Sequence, residues 1–366
     1  MNSLLKEIMD SFDILGVAEE AFPYGKGHIN DTYKVITRLE DGGEKKYILQ
    51  RINHTIFKKP HELMDNIQGV TEHIRTKIKA RGGDLKKESL HVILTKNGEN
   101  HLEAEGNFYR VYDFILGAKT FQMVEGPSDF YKSGQALGEF QELLFDYDAT
   151  SLHETIKDFH NTEKRFEDFQ VVVKEDPKGR LKICQEDVEN YLLRDKDVGI
   201  INELIRNKEI PIRVTHNDTK YNNVMIDDIT REAVCMIDLD TVMPGVSLFD
   251  FGDSIRSGAT TALEDEADLS KVNLDLELFK AYTQGYLSKG DFLTETEIDY
   301  LPFAAKILTF ECGMRFLKDY LGGDIYYKTD YDTHNLVRAR NQFKLVLDME
   351  RDYQQMIEIV KEVRKA

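Results

Sequence analysis

The sequence predicts an α+β protein of two lobes, with a β-rich front lobe at residues 1–116 and a mainly helical lobe at 117–366. Three observations lead there. Alternating apolar runs crowd the first 115 residues, with helical spacing only at 3–15 and 61–80. Beyond Leu116 the apolar spacing becomes helical, apart from three short strand-like runs near 211–238. The length of 366 residues is ample for two compact units.

Taken in order, residues 3–15 place Leu4, Ile8, Phe12 and Leu15 on one helical face. Pro23-Tyr-Gly-Lys-Gly-His-Ile-Asn30 then leads into the alternating Ile29, Tyr33 and Val35, which predicts a strand, a glycine loop and a returning strand. Gly25 and Gly27 permit the close backbone approach that turns amides toward phosphates, although an ordinary hairpin has the same pattern. Lys46–Ile52 is the third strand. Leu63, Ile67, Val70, Ile74 and Ile78 predict a helix over 61–80, stopped by Arg81-Gly-Gly83. Strands at 90–94 and 107–115 complete the first lobe, and Leu116-Gly-Ala118 reads as a hinge. In the second lobe Ser128 is expected to cap a helix carrying Phe130, Leu137, Phe140 and Leu144. Residues 151–170 show no clear period, 185–205 read as one long helix, and Pro211 opens a strand. Helical spacing returns at 249–256, 274–288, 295–319 and 335–364.

The composition narrows the function classes. A formal net charge of −18 opposes nucleic-acid binding, and no run approaches the length of a membrane helix. Cys184, Cys235 and Cys312 form no CxxC pair, and the amphipathic start does not resemble a signal peptide. A reduced, cytoplasmic, monomeric protein is expected.

The chemistry centres on Val214-Thr-His-Asn-Asp-Thr-Lys-Tyr-Asn-Asn-Val-Met-Ile-Asp227 and Ala233-Val-Cys-Met-Ile-Asp-Leu-Asp240. Asp218 lies in a polar loop, Asn223 follows five residues later, and a hairpin of two short strands delivers Asp238. One carboxylate to orient a hydroxyl, with an amide and a carboxylate to hold Mg²⁺ against a nucleotide, suits phosphoryl transfer.

The complete His216-x-Asp218-x-x-x-x-Asn223 spacing, with Ile237-Asp238 and the upstream glycine loop, resembles the aminoglycoside phosphotransferase branch of the protein-kinase-like fold. Further blocks look like the N-acetylhexosamine 1-kinase family. They include Tyr24–Asn30, Tyr47–Gln50, Leu248–Arg256, Ala262–Glu266 and Glu311-Cys-Gly-Met-Arg-Phe-Leu317. That resemblance covers essentially the whole chain. It implies an antiparallel N-lobe with a helix, a helical C-lobe carrying the catalytic loop, and transfer of phosphate from ATP, with Mg²⁺, to the anomeric hydroxyl of N-acetylglucosamine or N-acetylgalactosamine.

By the same resemblance Asp218 is the catalytic carboxylate, and Asn223 and Asp238 are magnesium ligands. Lys220, Arg315 and Tyr326 are expected at the acceptor sugar. Lys220 would meet either the γ-phosphate or a sugar oxygen; its alternative is a solvated surface lysine. Glu311 and Arg315, four apart on a helix, read as a surface pair or as a buried pair facing the site. The nucleotide is expected against Gly25, Gly27, His28, Asn30 and Gln50, with backbone groups from Asp113 to Ile115 meeting the base. His216 and Asp250 read as structural supports of the loop. Asp240 is left between a supporting role and a turn former.

One departure matters. Kinase-like third strands usually carry a lysine for the phosphates, and this chain has Leu49-Gln50-Arg51 there, with Arg51 on the opposite strand face. Lys26, His28 or the metal would then meet the phosphate charge. The alternatives are a same-fold kinase of another small alcohol (an aminoglycoside, an amino alcohol or homoserine) and a nucleotide-binding pseudokinase.

Overall fold

A computed structural model describes residues 1–25 and 29–365. It divides into two compact units. One comprises Met1–Lys119, Asp146–Ile156 and Met225–Met243; the other comprises Thr120–Phe145, Lys157–Val224 and Pro244–Ala366.

The first unit opens with helix α1 (Ser3–Asp10), where Asn2 caps the Leu5 amide. The helix is shorter than the spacing suggested. Strands β1 (Val17–Pro23), β2 (Asp31–Arg38) and β3 (Glu44–Ile52) follow, then helix α2 (Pro60–Ala80) and strands β4 (Val92–Ile93), β5 (Leu102–Ala104) and β6 (Asn107–Asp113). They form an antiparallel sheet in the order β1-β2-β3-β6-β4, with β5 also paired to β6. Helix α2 buries Leu63, Ile67, Val70, Ile74 and Ile78, the stripe read from its spacing, together with Met64. Strand β5 was not anticipated because three residues, none of them buried, are too few to establish a period.

At the expected hinge Gly117 takes a φ of +72°, and its carbonyl accepts from the Asp228 amide. Strand β7 (Ala118–Lys119) follows directly and pairs with a later strand.

The second unit is helical. Helix α3 (Pro127–Leu143) starts with Pro127 in its first turn and Gly126 as cap, so Ser128 lies inside the helix rather than capping it. Helix α4 (Thr162–Glu175) begins within residues 151–170, which showed no period, and is capped by the Asn161 side chain on the Lys164 amide. The single helix expected over 185–205 is two, α5 (Gln185–Leu192) and α6 (Ile200–Arg206). Strand β8 (Arg213–Thr215) leads into the catalytic stretch. Strands β9 (Val224–Asp227) and β10 (Ala233–Met236), which but for Val224 belong to the first unit, join β7 in a sheet of order β10-β9-β7. Strand β11 (Met243–Gly245) and helices α7 (Ser247–Gly258), α8 (Leu276–Leu287), α9 (Glu295–Asp299), α10 (Leu301–Gly322), α11 (His334–Arg351) and α12 (Tyr353–Lys365) complete the chain.

Helices α3 and α8 approach closely through glycine: a Cβ at Gly285 would lie 1.9 Å from the Tyr131 carbonyl oxygen, and one at Gly134 would lie 2.3 Å from that of Tyr282. Fully buried Phe251, Phe279, Tyr282 and Tyr286 pack beside this crossing. Among the described residues no helix is long and apolar enough to cross a membrane.

Candidate active site

The loop after β8 is held from three directions. Asn217 sits at a φ of +64°, which asparagine tolerates better than most residues. From helix α7, the Asp250 Oδ1 accepts the Asn217 amide at 2.7 Å and its Oδ2 accepts the His216 amide at 3.0 Å. One turn on, Asp253 accepts the Thr219 amide at 2.9 Å, and the Thr219 hydroxyl donates to the Asp250 carbonyl at 2.6 Å. From α3, Gln141 donates to Asp250 Oδ2 at 2.8 Å while accepting the Tyr286 hydroxyl at 2.6 Å. The third hold is His160, just before α4, whose Nε2 lies 3.1 Å from the Asn217 carbonyl oxygen. The His216 ring is buried edge-on to Phe140, and its Nδ1 accepts the Asp218 amide. His216 and Asp250 therefore support the loop, as the sequence indicated.

On this rigid base Asp218, Lys220 and Asn223 come together. The Lys220 ammonium lies 2.9 Å from Asp218 Oδ1. The Asn223 Nδ2 donates to the Asp218 carbonyl at 2.8 Å and to its Oδ2 at 3.3 Å. Those bonds orient the amide and leave its Oδ1 as an acceptor that takes no hydrogen bond from another described residue. An oxygen so presented suits a hard divalent cation. Burial pushes the Asp218 carboxyl up, but the Lys220 ammonium, with His216 and Arg256, outweighs it and holds the carboxyl below its usual range. Lys220 is raised in turn, chiefly by Asp218, against its own desolvation.

Arg315 and Tyr326 also meet. The Arg315 guanidinium lies 5.2 Å from the ring centre of Phe159, 5.9 Å from Tyr326 and 5.8 Å from Tyr327. Glu311 is buried as one of the two readings required, but it serves other partners: His160 Nδ1 at 2.9 Å and the Thr162 hydroxyl at 2.6 Å. The segment bearing Tyr326 is shaped by Asp319, which accepts the amides of Ile325, Tyr326 and Tyr327 at 3.0, 2.9 and 2.9 Å. Glu264 and Asp253 also raise Lys220 while Arg256 lowers it, and the same three groups act, with Arg315, on the Cys312 thiol. Arg256 pairs with Asp253 at 2.9 Å and with Glu264 at 2.7 Å.

In the first unit, Gly25 has a φ of +80° just past β1. Gly27 and His28 lie outside the described residues, as does Lys26. Asn30 donates to Asp240 Oδ2 at 2.6 Å and accepts the Asn53 amide at 2.9 Å. Gln50 donates to the Thr32 hydroxyl at 2.9 Å and accepts from Arg110 Nε at 2.9 Å. Arg51, on the other face, pairs with Asp31 near the surface. Arg110, 1% exposed, brings its Nη1 within 2.5 Å of Asp240 Oδ1. That contact is an ion pair without hydrogen-bond alignment, because Oδ1 has no aligned donor. Asp238 follows β10 at a φ of +63°.

Asp113 spends its carboxylate on His91 at 2.6 Å and Lys45 at 2.9 Å, and its amide on the His91 carbonyl. Ile115 differs: no other described residue hydrogen-bonds its backbone N–H or C=O. Its side chain belongs to an apolar cluster with Ala118 and Cys235, flanked by half-buried Met225 and Ile237. Sequence reasoning passed over Arg110 and His160. Arg110 had a signal, a lone charge inside the apolar run Phe108–Tyr112, whereas His160 had none.

A model of the phosphotransferase enzyme family matches residues 21–288. Among solved structures, an aminoglycoside phosphotransferase from Alicyclobacillus acidocaldarius is similar at 12% identity, covering 98% of this chain and 96% of that one with a TM-score of 0.57. A microcompartment-associated aminopropanol kinase is similar at 13% identity, over 97% and 98% of the two chains, with a TM-score of 0.58. An amicoumacin kinase solved with AMP-PNP and Ca²⁺ is similar at 12% identity, over 96% and 97%, also at 0.58. At these identities the likeness is one of fold.

Proposed function

Since the chain belongs to the phosphotransferase enzyme family, we propose that it transfers the γ-phosphoryl group of ATP, with Mg²⁺, to the anomeric hydroxyl of an N-acetylhexosamine, giving the sugar 1-phosphate. The observation that carries the acceptor class is the charge beside Asp218. Lys220 stands 2.9 Å from that carboxylate, and Arg315 stands among three aromatic rings. If both cations face the acceptor, as this reading has them, they disfavour a cationic amino alcohol: like charges about 4 Å apart repel by about 4 kcal/mol at a near-surface dielectric. A neutral ring with carbonyl and hydroxyl acceptors suits them, Arg315 and Tyr326 binding the sugar and its acetamido group.

In this reading Asp218 orients the anomeric hydroxyl and takes its proton as the new O–P bond forms and the bond from γ-phosphorus to the bridging oxygen breaks. Transition states of this kind are loose in most analyses, so alignment contributes more than basicity. Lys220 offsets negative charge on the transferring group or holds a sugar oxygen. Asn223 and Asp238 supply oxygens to Mg²⁺, which when bound neutralises phosphate charge. Ile115 offers its backbone groups to the adenine, with Met225 and Ile237 as apolar neighbours; Gly25 and Asn30 belong to the phosphate side. The AMP-PNP and Ca²⁺ held by the amicoumacin kinase support a nucleotide with a divalent cation.

A second reading has one observation in its favour. Glu264, 40% exposed, and Asp253 lie near Lys220 and would suit an amino alcohol, although Arg256 pairs with both. The test incubates the protein with ATP, Mg²⁺ and a panel of N-acetylglucosamine, N-acetylgalactosamine, glucose, choline, homoserine and kanamycin, reading the product by phosphorus NMR. A 1-phosphate of the N-acetylated sugars is expected. Product only on a cationic alcohol, or at a sugar 6-hydroxyl, overturns the assignment.

A further inference from the structure

We propose that Arg110 replaces the missing third-strand lysine as a positioning residue, supplying the lobe's buried positive charge from the neighbouring strand and holding the Asp238–Asp240 turn in shape to receive Mg-nucleotide. The inference rests on the nucleotide reading above.

Strand register is the first support. Gln50 stands directly opposite Thr32 on β2 and directly opposite Arg110 on β6. Residues paired across a sheet point to the same face, so the three side chains form one row. Gln50 spans that row, donating to Thr32 and accepting from Arg110, each at 2.9 Å. The cation that other kinase-like folds carry at this position is thus displaced by one strand, and the glutamine steers it.

The second support is where the guanidinium goes. Arg110 is buried against Tyr112, 5.3 Å from the ring centre, and Met64. A desolvated cation demands a counter-charge, and Asp240, two residues beyond Asp238, provides it at 2.5 Å. The other Asp240 oxygen takes Asn30, whose own oxygen takes the Asn53 amide. One unbroken chain of polar contacts therefore runs from Thr32 through Gln50, Arg110 and Asp240 to Asn30, just before β2. Asp238 holds a left-handed backbone that asparagine and aspartate adopt at some cost, and the pair next to it constrains that turn. Asp240, undecided from sequence, becomes the anchor of the turn.

A buried ion pair can also be mere packing, and the test separates the two. Isothermal titration would measure MgATP and AMP binding to the wild type, Arg110→Lys, Arg110→Met and the double variant Arg110→Met/Asp240→Leu, with melting temperature as control. Apolar replacement of both partners is often tolerated by the fold, so the double variant remains informative if Arg110→Met alone unfolds. The expected result is that the double variant melts within a few degrees of the wild type yet binds MgATP about tenfold or more weakly, while AMP, lacking the outer phosphates, binds as before. Arg110→Lys keeps most of the affinity. A folded double variant that binds MgATP like the wild type overturns the proposal, and a parallel loss of AMP binding does so too by marking a collapsed pocket. A wild type that binds no MgATP sinks the nucleotide reading itself.

Discussion

Replacing Asp250 by asparagine isolates what the catalytic loop owes to helix α7. The carboxylate accepts three donors, the Asn217 amide at 2.7 Å, the Gln141 side chain at 2.8 Å and the His216 amide at 3.0 Å. Gln141 cannot reverse freely, because its oxygen holds the Tyr286 hydroxyl. The least disruptive asparagine rotamer keeps oxygen toward Gln141 and His216 and turns its NH₂ onto the Asn217 amide. One hydrogen bond to a charged acceptor is then lost, a buried N–H is left unpaired, and two other bonds fall to neutral strength. Bonds to charged groups contribute about 1.5–3 kcal/mol and an unpaired buried donor costs about 1–3 kcal/mol. Relief from burying a charge offsets part of this, leaving a net loss of about 2–4 kcal/mol. Urea unfolding should show that loss. Steady-state kinetics should show kcat lower by about 10²-fold, the cost of misplacing a reacting group by about 1 Å. Unfolding within about 0.5 kcal/mol of the wild type, together with unchanged kcat, would refute the reasoning.

Three further outcomes are expected. Lys220→Met should lower kcat by about 10²–10³-fold, as loss of one preorganised charge-stabilising group does, with nucleotide affinity by titration unchanged; an unaltered kcat would return Lys220 to the solvated surface. Gly285→Ala sets a Cβ 1.9 Å from the Tyr131 carbonyl, so calorimetry should find it destabilised by about 1–3 kcal/mol or more. Glu297 is fully buried against Arg213, at 2.9 Å; burial pushes its carboxyl up, but Arg213, the Thr294 amide and Ser247 outweigh that and hold it below the usual range. Its stabilisation is therefore complete above an unfolded value of about 4.3 and is lost as pH falls through the lower folded value. Arg213→Met strands the carboxylate, at a cost of about 3–5 kcal/mol near pH 7. The variant takes up a proton on Glu297 on acidification, so its deficit in urea melts should narrow toward pH 4; a constant deficit would contradict the assignment.

What the chain disclosed in advance follows a physical pattern. The stripe Leu63, Ile67, Val70, Ile74 and Ile78 announced α2 because a half-buried helix repeats every 3.6 residues. Asp218, Lys220 and Asn223 were legible because one short loop brings them together. Helix α4 was hidden because Phe166 and Phe169 are the only apolar residues deeply buried along it, too few to mark a period. The break between α5 and α6 falls at 193–199, where only Gly199 interrupts otherwise helix-compatible residues. Arg110 and His160 act across long separations, 60 residues to Gln50 and 57 to Asn217. Strand register and helix packing set such contacts, and local sequence records neither. The lone charge in Phe108–Tyr112 pointed at something, without saying at what.

The Asp319 carboxylate has a consequence for how acceptor choice changes among such chains. It gathers the amides of 325–327, and Asn335 bonds both Asp319 and Asp324 at 3.0 and 2.9 Å. None of these anchors is shared with Asp250, Asp253 or Gln141, which secure the loop of Asp218. On the proposed reading, selectivity and chemistry thus have independent foundations. If Tyr326 does meet the acceptor, its segment should tolerate rebuilding, lengthening or exchange as a cassette while the loop of Asp218 keeps its own anchors.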